Sequence, residues 1–350
     1  MNCAIKTARV IDVHAHVVLA RTIGAAGVFG PYIGTNEDGS PYFQVGESYR
    51  LNGVRYVGSP FMEAELRLAR MAERGIDYQV LSPNPLTYLH FIPAKDAARY
   101  CQVHNDALAE VVRAHPERLG GLAALPIQSP DAAAEELQRA VKELGLLGAA
   151  FGTDAPNPLD APCMDRLYEK ASALGVPLFI HPGPAGIDGP AGDPALKRFE
   201  LDIIAGFAAQ ETLAIATLIF GGVLDRHPKL DICISHGGGA TALLIGRMAR
   251  AARLRHWSPA ALRPDGAFEE RARRLWLDVH VEHPAAIELL SSVVGRDHLV
   301  YGTNFAGWDE PTAGKPSNVE ARHGNVPDFL AGNARQLLAS RHNPITQLAV

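Results

Sequence analysis

Eight short apolar runs, set between stretches of helical pattern, narrow the possible folds of this chain more than any other feature. They read "RVIDVHAH", "YQVLS", "GGLAALP", "GAAFG", "PLFIHP", "KLDICISH", "LWLDVHV" and "HLVYGTN". Runs of this length suit buried strands, and most of the stretches between them repeat apolar residues at helical spacing. Ser59-Pro60 is placed to cap and open a helix over "MEAELRLARMAER", with proline at its first position. Pro130-Asp131 does the same for "AAAEELQRAVKELG", which Gly145 ends. Strands alternating with helices pair in parallel, so eight such units predict an α/β fold, a closed (β/α)8 TIM barrel. No internal repeat or low-complexity linker divides the chain, and residues 1–350 are expected to form one domain. Residues 18–58, rich in Gly, Pro and Tyr, break the pattern. They are expected to be a long irregular insertion after the first strand, capping the mouth of the barrel.

Composition removes several function classes. The 350 residues are 47% apolar and 20% charged, enough for a large core. A net charge of −5 gives no basic footprint for nucleic acid. The longest apolar stretches, such as "LAIATLIFGGVL", are too short and glycine-broken to span a bilayer. The four cysteines, Cys3, Cys101, Cys163 and Cys233, show neither a CxxC pair nor a disulfide framework. The first residues lack the pattern of a signal peptide. These features predict a soluble cytoplasmic enzyme acting on a small molecule.

The histidines show where its chemistry lies. In "VIDVHAHVVL", His14 and His16 alternate to one side of the first strand, with Asp12 two residues before them. A strand that only fills a core has no use for two imidazoles. His181 ends the fifth run, His236 ends the sixth before a glycine turn, and Asn304 ends the eighth. Barrel active sites are assembled at these C-terminal strand ends. Neutral imidazoles gathered there suit zinc or a related divalent ion. The other histidines, including His90, His280 and His283, are assigned ordinary structural or surface roles.

DxHxH, HP, HGGG and the late "GTN" resemble the amidohydrolase superfamily, in the branch containing 2-amino-3-carboxymuconate-6-semialdehyde decarboxylase. "LRLARMAERGIDYQVLS", "HNDALAEVVRAHPERLGGLAALPIQSP", "IFGGVLDRHPKLDICISHGGG" and "LAGNARQLL" extend the likeness over most of the chain. The resemblance implies one divalent metal ion, Zn2+ with Mn2+ as the alternative, held by His14, His16 and His181. It implies that His236 is the acid/base. It also implies that Arg247, in "LLIGRMAR", reaches into a neighbouring subunit to hold a substrate carboxylate, which requires a homodimer or higher oligomer. On its residues alone, Arg247 reads as a solvated helix charge.

Two departures bear on the reaction. The family has aspartate where this chain has Asn304, and a neutral amide cannot act as a base. Gly183 stands where the named decarboxylase has an aromatic residue, so substrate identity does not carry over. The run "GAAFG" has no lysine to form a bridging carbamate, which favours one metal over two. The expected function is metal-dependent, non-oxidative decarboxylation of an aromatic or muconate-type carboxylic acid. His236 would supply the proton and Asn304 would stand in the catalytic position of the family's aspartate. Arg247 or Arg55 would clamp a carboxylate, although Arg55 reads equally well as an exposed loop residue. The first alternative is a metal-dependent hydrolase of an amide, lactone or C–C bond. With Asn304 in place it would need another base, for which Asp309 is a candidate. The second alternative is a non-catalytic barrel that binds a metal or a small acid.

Overall fold

The computed structural model describes residues 3–47, 49–188, 193–281, 283–305, 307 and 326–339. Its strands in chain order are β1 (Ile11–Val17), β2 (Tyr32–Thr35), β3 (Pro41–Val45), β4 (Tyr49–Asn52), β5 (Tyr78–Pro83) and β6 (Leu119–Ala124). They are followed by β7 (Gly148–Gly152), β8 (Leu178–His181), β9 (Ile232–Ile234), β10 (Trp276–Asp278) and β11 (Leu299–Val300). Each of the eight apolar runs contains one strand of an eight-stranded sheet ordered β1-β5-β6-β7-β8-β9-β10-β11. Every neighbouring pair in it is parallel. The sheet closes on itself beyond β11. Val13 N–H donates to Tyr301 O at 3.0 Å and His16 N–H to Phe305 O at 3.1 Å. This is the (β/α)8 barrel that the alternation predicts.

Helices cover the outside. Residues such as Met71, Leu108, Leu137, Leu167, Leu218 and Leu290 pack from them into one apolar cluster with the strands. Pro130 opens its helix as expected, with Ser129 as the preceding cap residue. The helix expected to start at Ser59-Pro60 begins one turn later, at Ala64. Phe61 is held back from it, because its carbonyl accepts Val18 N–H at 3.1 Å and its ring meets Tyr56 at 4.8 Å. No single helix among the described residues is long and apolar enough to cross a membrane.

Residues 18–58 are more regular than their composition suggests. β2, β3 and β4 form an antiparallel sheet. Phe43, Val45 and Tyr49 turn inward and pack with Tyr56, Leu89, Ile92 and Tyr100. Strands of four or five residues, joined by turns at Gly39 and Gly46, leave too little alternation to stand out in a sequence.

Asp12 is where the barrel is tied shut. Its carboxylate accepts Thr303 N–H at 3.1 Å, Thr303 O–H at 2.7 Å, Gln79 Nε2–H at 2.9 Å and His14 N–H at 3.1 Å. Gln79 accepts in turn from the buried Arg67 at 2.6 Å, and Arg67 also donates to the carbonyl of His16. Burial pushes the Asp12 carboxyl up to about 6 in spite of these bonds. Asp12→Ala would strand several buried donors at once. It is expected to cost roughly 3 kcal/mol or more in denaturant unfolding, with Asp12→Asn costing less.

Candidate active site

Two strands, β1 and β8, bring His14, His16 and His181 together, with one nitrogen of each within 4.8 Å of the others. All three are buried. The far nitrogen of each ring is engaged. His14 Nδ1 lies 2.7 Å from Asp278 Oδ2, His16 Nδ1 lies 3.3 Å from Ser82 Oγ, and His181 Nδ1 donates to Pro182 O at 2.7 Å. That arrangement turns the Nε2 lone pairs toward one another. His14 Nε2 and His16 Nε2 are 3.3 Å apart. Two nitrogens each about 2.05 Å from one tetrahedral ion would be about 3.3 Å apart. His181 Nε2 is buried and has no hydrogen-bond partner. Burial, followed by the neighbouring imidazoles of His16, His236 and His14, holds its pKa well below the usual histidine value. Imidazole nitrogens converging in this way fit a divalent cation.

His236 stands beside this cluster, its ring 5.0 Å from that of His14 and 4.9 Å from that of His181. Its Nδ1 lies 2.7 Å from Glu211 Oε1. His236 and Asn304 both have left-handed backbone, with φ of 44° and 49°. Such strain in non-glycine residues gathers at functional sites. Asn304 lines the cavity above the histidines. Asp309 lies outside the described residues.

That cavity, of about 410 Å³, reaches His16, His181 and Asn304 at its floor. Tyr49, Leu51, Val54, Arg55 and Tyr56 wall it from the inserted segment, and Phe61, Leu86, Ile203 and Phe207 from elsewhere. Arg55 is at the cavity, whereas Arg247 is on an exposed face of the helix Thr241–Leu254 and is not among the residues lining it.

Several residues here escaped the sequence reading. Asp278 holds His14, and its Oδ1 accepts His280 N–H at 3.0 Å and Gly237 N–H at 3.4 Å. Burial raises the carboxyls of Asp278 and Glu211 above the usual range. The aspartate in "LWLDVHV" ends β10, a weak signal that could have found it. Glu211 lies within a helix and gave none. His280, assigned an ordinary role in spite of its place near the end of the seventh run, joins the cluster, its ring 5.6 Å from that of His236. His283 does have such a role, accepting Ala285 N–H at 3.2 Å where the next helix starts. His90 pairs with Asp154 at 2.9 Å.

Comparison with known proteins shows the family. The amidohydrolase family profile matches residues 11–339. A 2-amino-3-carboxymuconate-6-semialdehyde decarboxylase of Dictyostelium discoideum is 31% identical over 288 residues, 81% of this chain and 79% of that protein. A gamma-resorcylate decarboxylase of Rhodococcus jostii is 35% identical over 255 residues, 69% of each chain. Among solved structures, a dihydroxybenzoic acid decarboxylase of Polaromonas sp. JS666, with bound manganese and 2-nitroresorcinol, superposes with a TM-score of 0.70 at 22% identity. It covers 94% of this chain and 96% of its own, and shows the shared fold. With a barrel, a histidine cluster at its strand tips and a profile match over nearly the whole length, the chain belongs to the amidohydrolase family.

Proposed function

We propose that the protein is a metal-dependent, non-oxidative decarboxylase of an aromatic or muconate-type carboxylic acid. One observation carries the reading. Three converging imidazoles, a fourth imidazole anchored on a carboxylate and a neutral amide meet under a largely apolar cavity. His14, His16 and His181 would hold a divalent ion, zinc or manganese, which would orient a substrate oxygen and stabilise negative charge as carbon dioxide leaves. Manganese in the compared Polaromonas decarboxylase keeps both metals in play.

The chain's own residues supply the rest. Leu51, Val54, Phe61, Leu86 and Phe207 receive the ring or diene and exclude water. An apolar cavity disfavours a localised carboxylate relative to neutral carbon dioxide. The bond between the carboxylate and its carbon breaks, its electron pair stays on that carbon, and His236, which first takes up a proton from the substrate's acid group or from solvent, delivers it to the vacated position. Arg55 is placed to clamp an anionic group of the substrate. Hydrolysis by the same set would need a base for an attacking water, and Asn304 at the cavity floor is not one. A protein that only binds a metal or an acid would need no anchored proton donor. The decarboxylases among the relatives support the lyase reading.

Two further readings accompany it. A homodimer is proposed from the exposed Leu213 and Leu243, on helices that pack together, with Arg247 one turn beyond Leu243. A cytoplasmic location is proposed from the four free cysteines, two of them exposed.

The primary test is a panel of aromatic and muconate acids scored for carbon dioxide release. His236→Ala should lose about 10²-fold or more in turnover while keeping its metal, and near-normal turnover would reject the assignment. Elemental analysis should find one divalent ion per chain. Chelation should abolish turnover and added Mn2+ or Zn2+ restore it, whereas His181→Ala should fail to retain the ion. Sedimentation should show at least a dimer, and an active monomer would remove the role of Arg247.

A further inference from the structure

Glu211, on the helix Gly206–Phe220, is not among the cavity-lining residues and is fully buried. Its Oε1 is 2.7 Å from His236 Nδ1 and also accepts the hydroxyl of Ser235. We propose that Glu211 is the positioning residue of His236, fixing the ring in the tautomer that carries its hydrogen on Nδ1 and leaves Nε2 for proton transfer. The proposal rests on the acid/base reading of His236 given above.

The chemistry of the acceptor selects the tautomer. A hydroxyl can donate or accept and would permit either tautomer, whereas Glu211 Oε1 already acts as an acceptor, from the Ser235 hydroxyl. With Ser235 donating to the same oxygen, the ring nitrogen that faces Glu211 must carry a hydrogen. A buried carboxylate is also rarely retained without a partner that needs it.

The surrounding geometry shows that the helix registers the whole turn. Thr212 Oγ1, one residue along, accepts Ala240 N–H at 2.9 Å. Gln210, one residue back, clamps Gly183 beyond β8. Its Nε2 donates to Gly183 O at 2.9 Å and its Oε1 accepts Gly183 N–H at 3.2 Å. A Cβ on Gly239, which has φ of +63°, would lie 2.1 Å from the carbonyl oxygen of Ala208. The glycine turn therefore presses directly on the helix backbone. His236 itself has φ of 44°, a conformation that persists only where neighbours over-determine it. Three consecutive side chains, Gln210, Glu211 and Thr212, thus hold the turns that follow His181 and His236 from one helix.

Nitrogen NMR on the zinc-loaded, full-length protein labelled with 15N-histidine tests the proposal. The His236 signals are assigned by their loss in His236→Gln. The expected spectrum has a protonated Nδ1 and an unprotonated Nε2. The opposite tautomer overturns the proposal, and this measurement holds even if every Glu211 variant misfolds. For Glu211→Gln, the amide can present a donor to the ring, and kcat is expected to fall about 10²-fold with KM within about threefold and metal content unchanged. Glu211→Asp should recover part of the loss. Unchanged kcat in Glu211→Gln also overturns it. The tautomer measurement needs no substrate, so a panel without carbon dioxide release would reject the decarboxylase reading alone.

Discussion

Three buried imidazoles can share one small volume because each has its far nitrogen held by the protein. Left to themselves, converging lone pairs repel, and a proton placed between them would be buried without a counter-charge. Asp278, Ser82 and the carbonyl of Pro182 resolve this by taking the outer nitrogens of His14, His16 and His181. Asp278 bears the greatest share, since it also receives the backbone of Gly237 and His280. Its grip depends on the closure of the barrel, where Asp12 fastens β1 to the end of β11 through Thr303. The position of the histidines is thus set by contacts outside the cavity.

The barrel was legible because its signal is repeated eight times. Each buried parallel strand needs an unbroken apolar run, and each covering helix needs a stripe of apolar residues. The histidines were legible for the converse reason, since polar residues in such runs need an explanation. What stayed hidden was whatever depends on distance in three dimensions. Glu211 sits in an apolar helix, 25 residues before the histidine it contacts. The Asp12 tie spans 291 residues, so β1 alone gave no sign of the partner that makes this carboxylate a structural one. The inserted sheet was hidden for want of length, with strands too short for a period to register.

Strain is placed where the chemistry needs it. His236 and Asn304 occupy left-handed backbone just beyond β9 and β11, at a cost of order 1 kcal/mol or more each. The barrel beneath is closely packed and well satisfied. The strained turn at His236 is held by the helix Gly206–Phe220, through Glu211 and Thr212. An active site built this way keeps its geometry without depending on the loops that cover it.

The insertion has a consequence of its own. The histidines at the floor come from barrel strands, whereas Tyr49, Leu51, Val54, Arg55 and Tyr56 in the wall come from one continuous stretch of chain. Floor and wall can therefore change at different evolutionary rates. A descendant of this protein could acquire a new diet by rewriting residues 49–56, with no histidine displaced and no strand of the barrel disturbed.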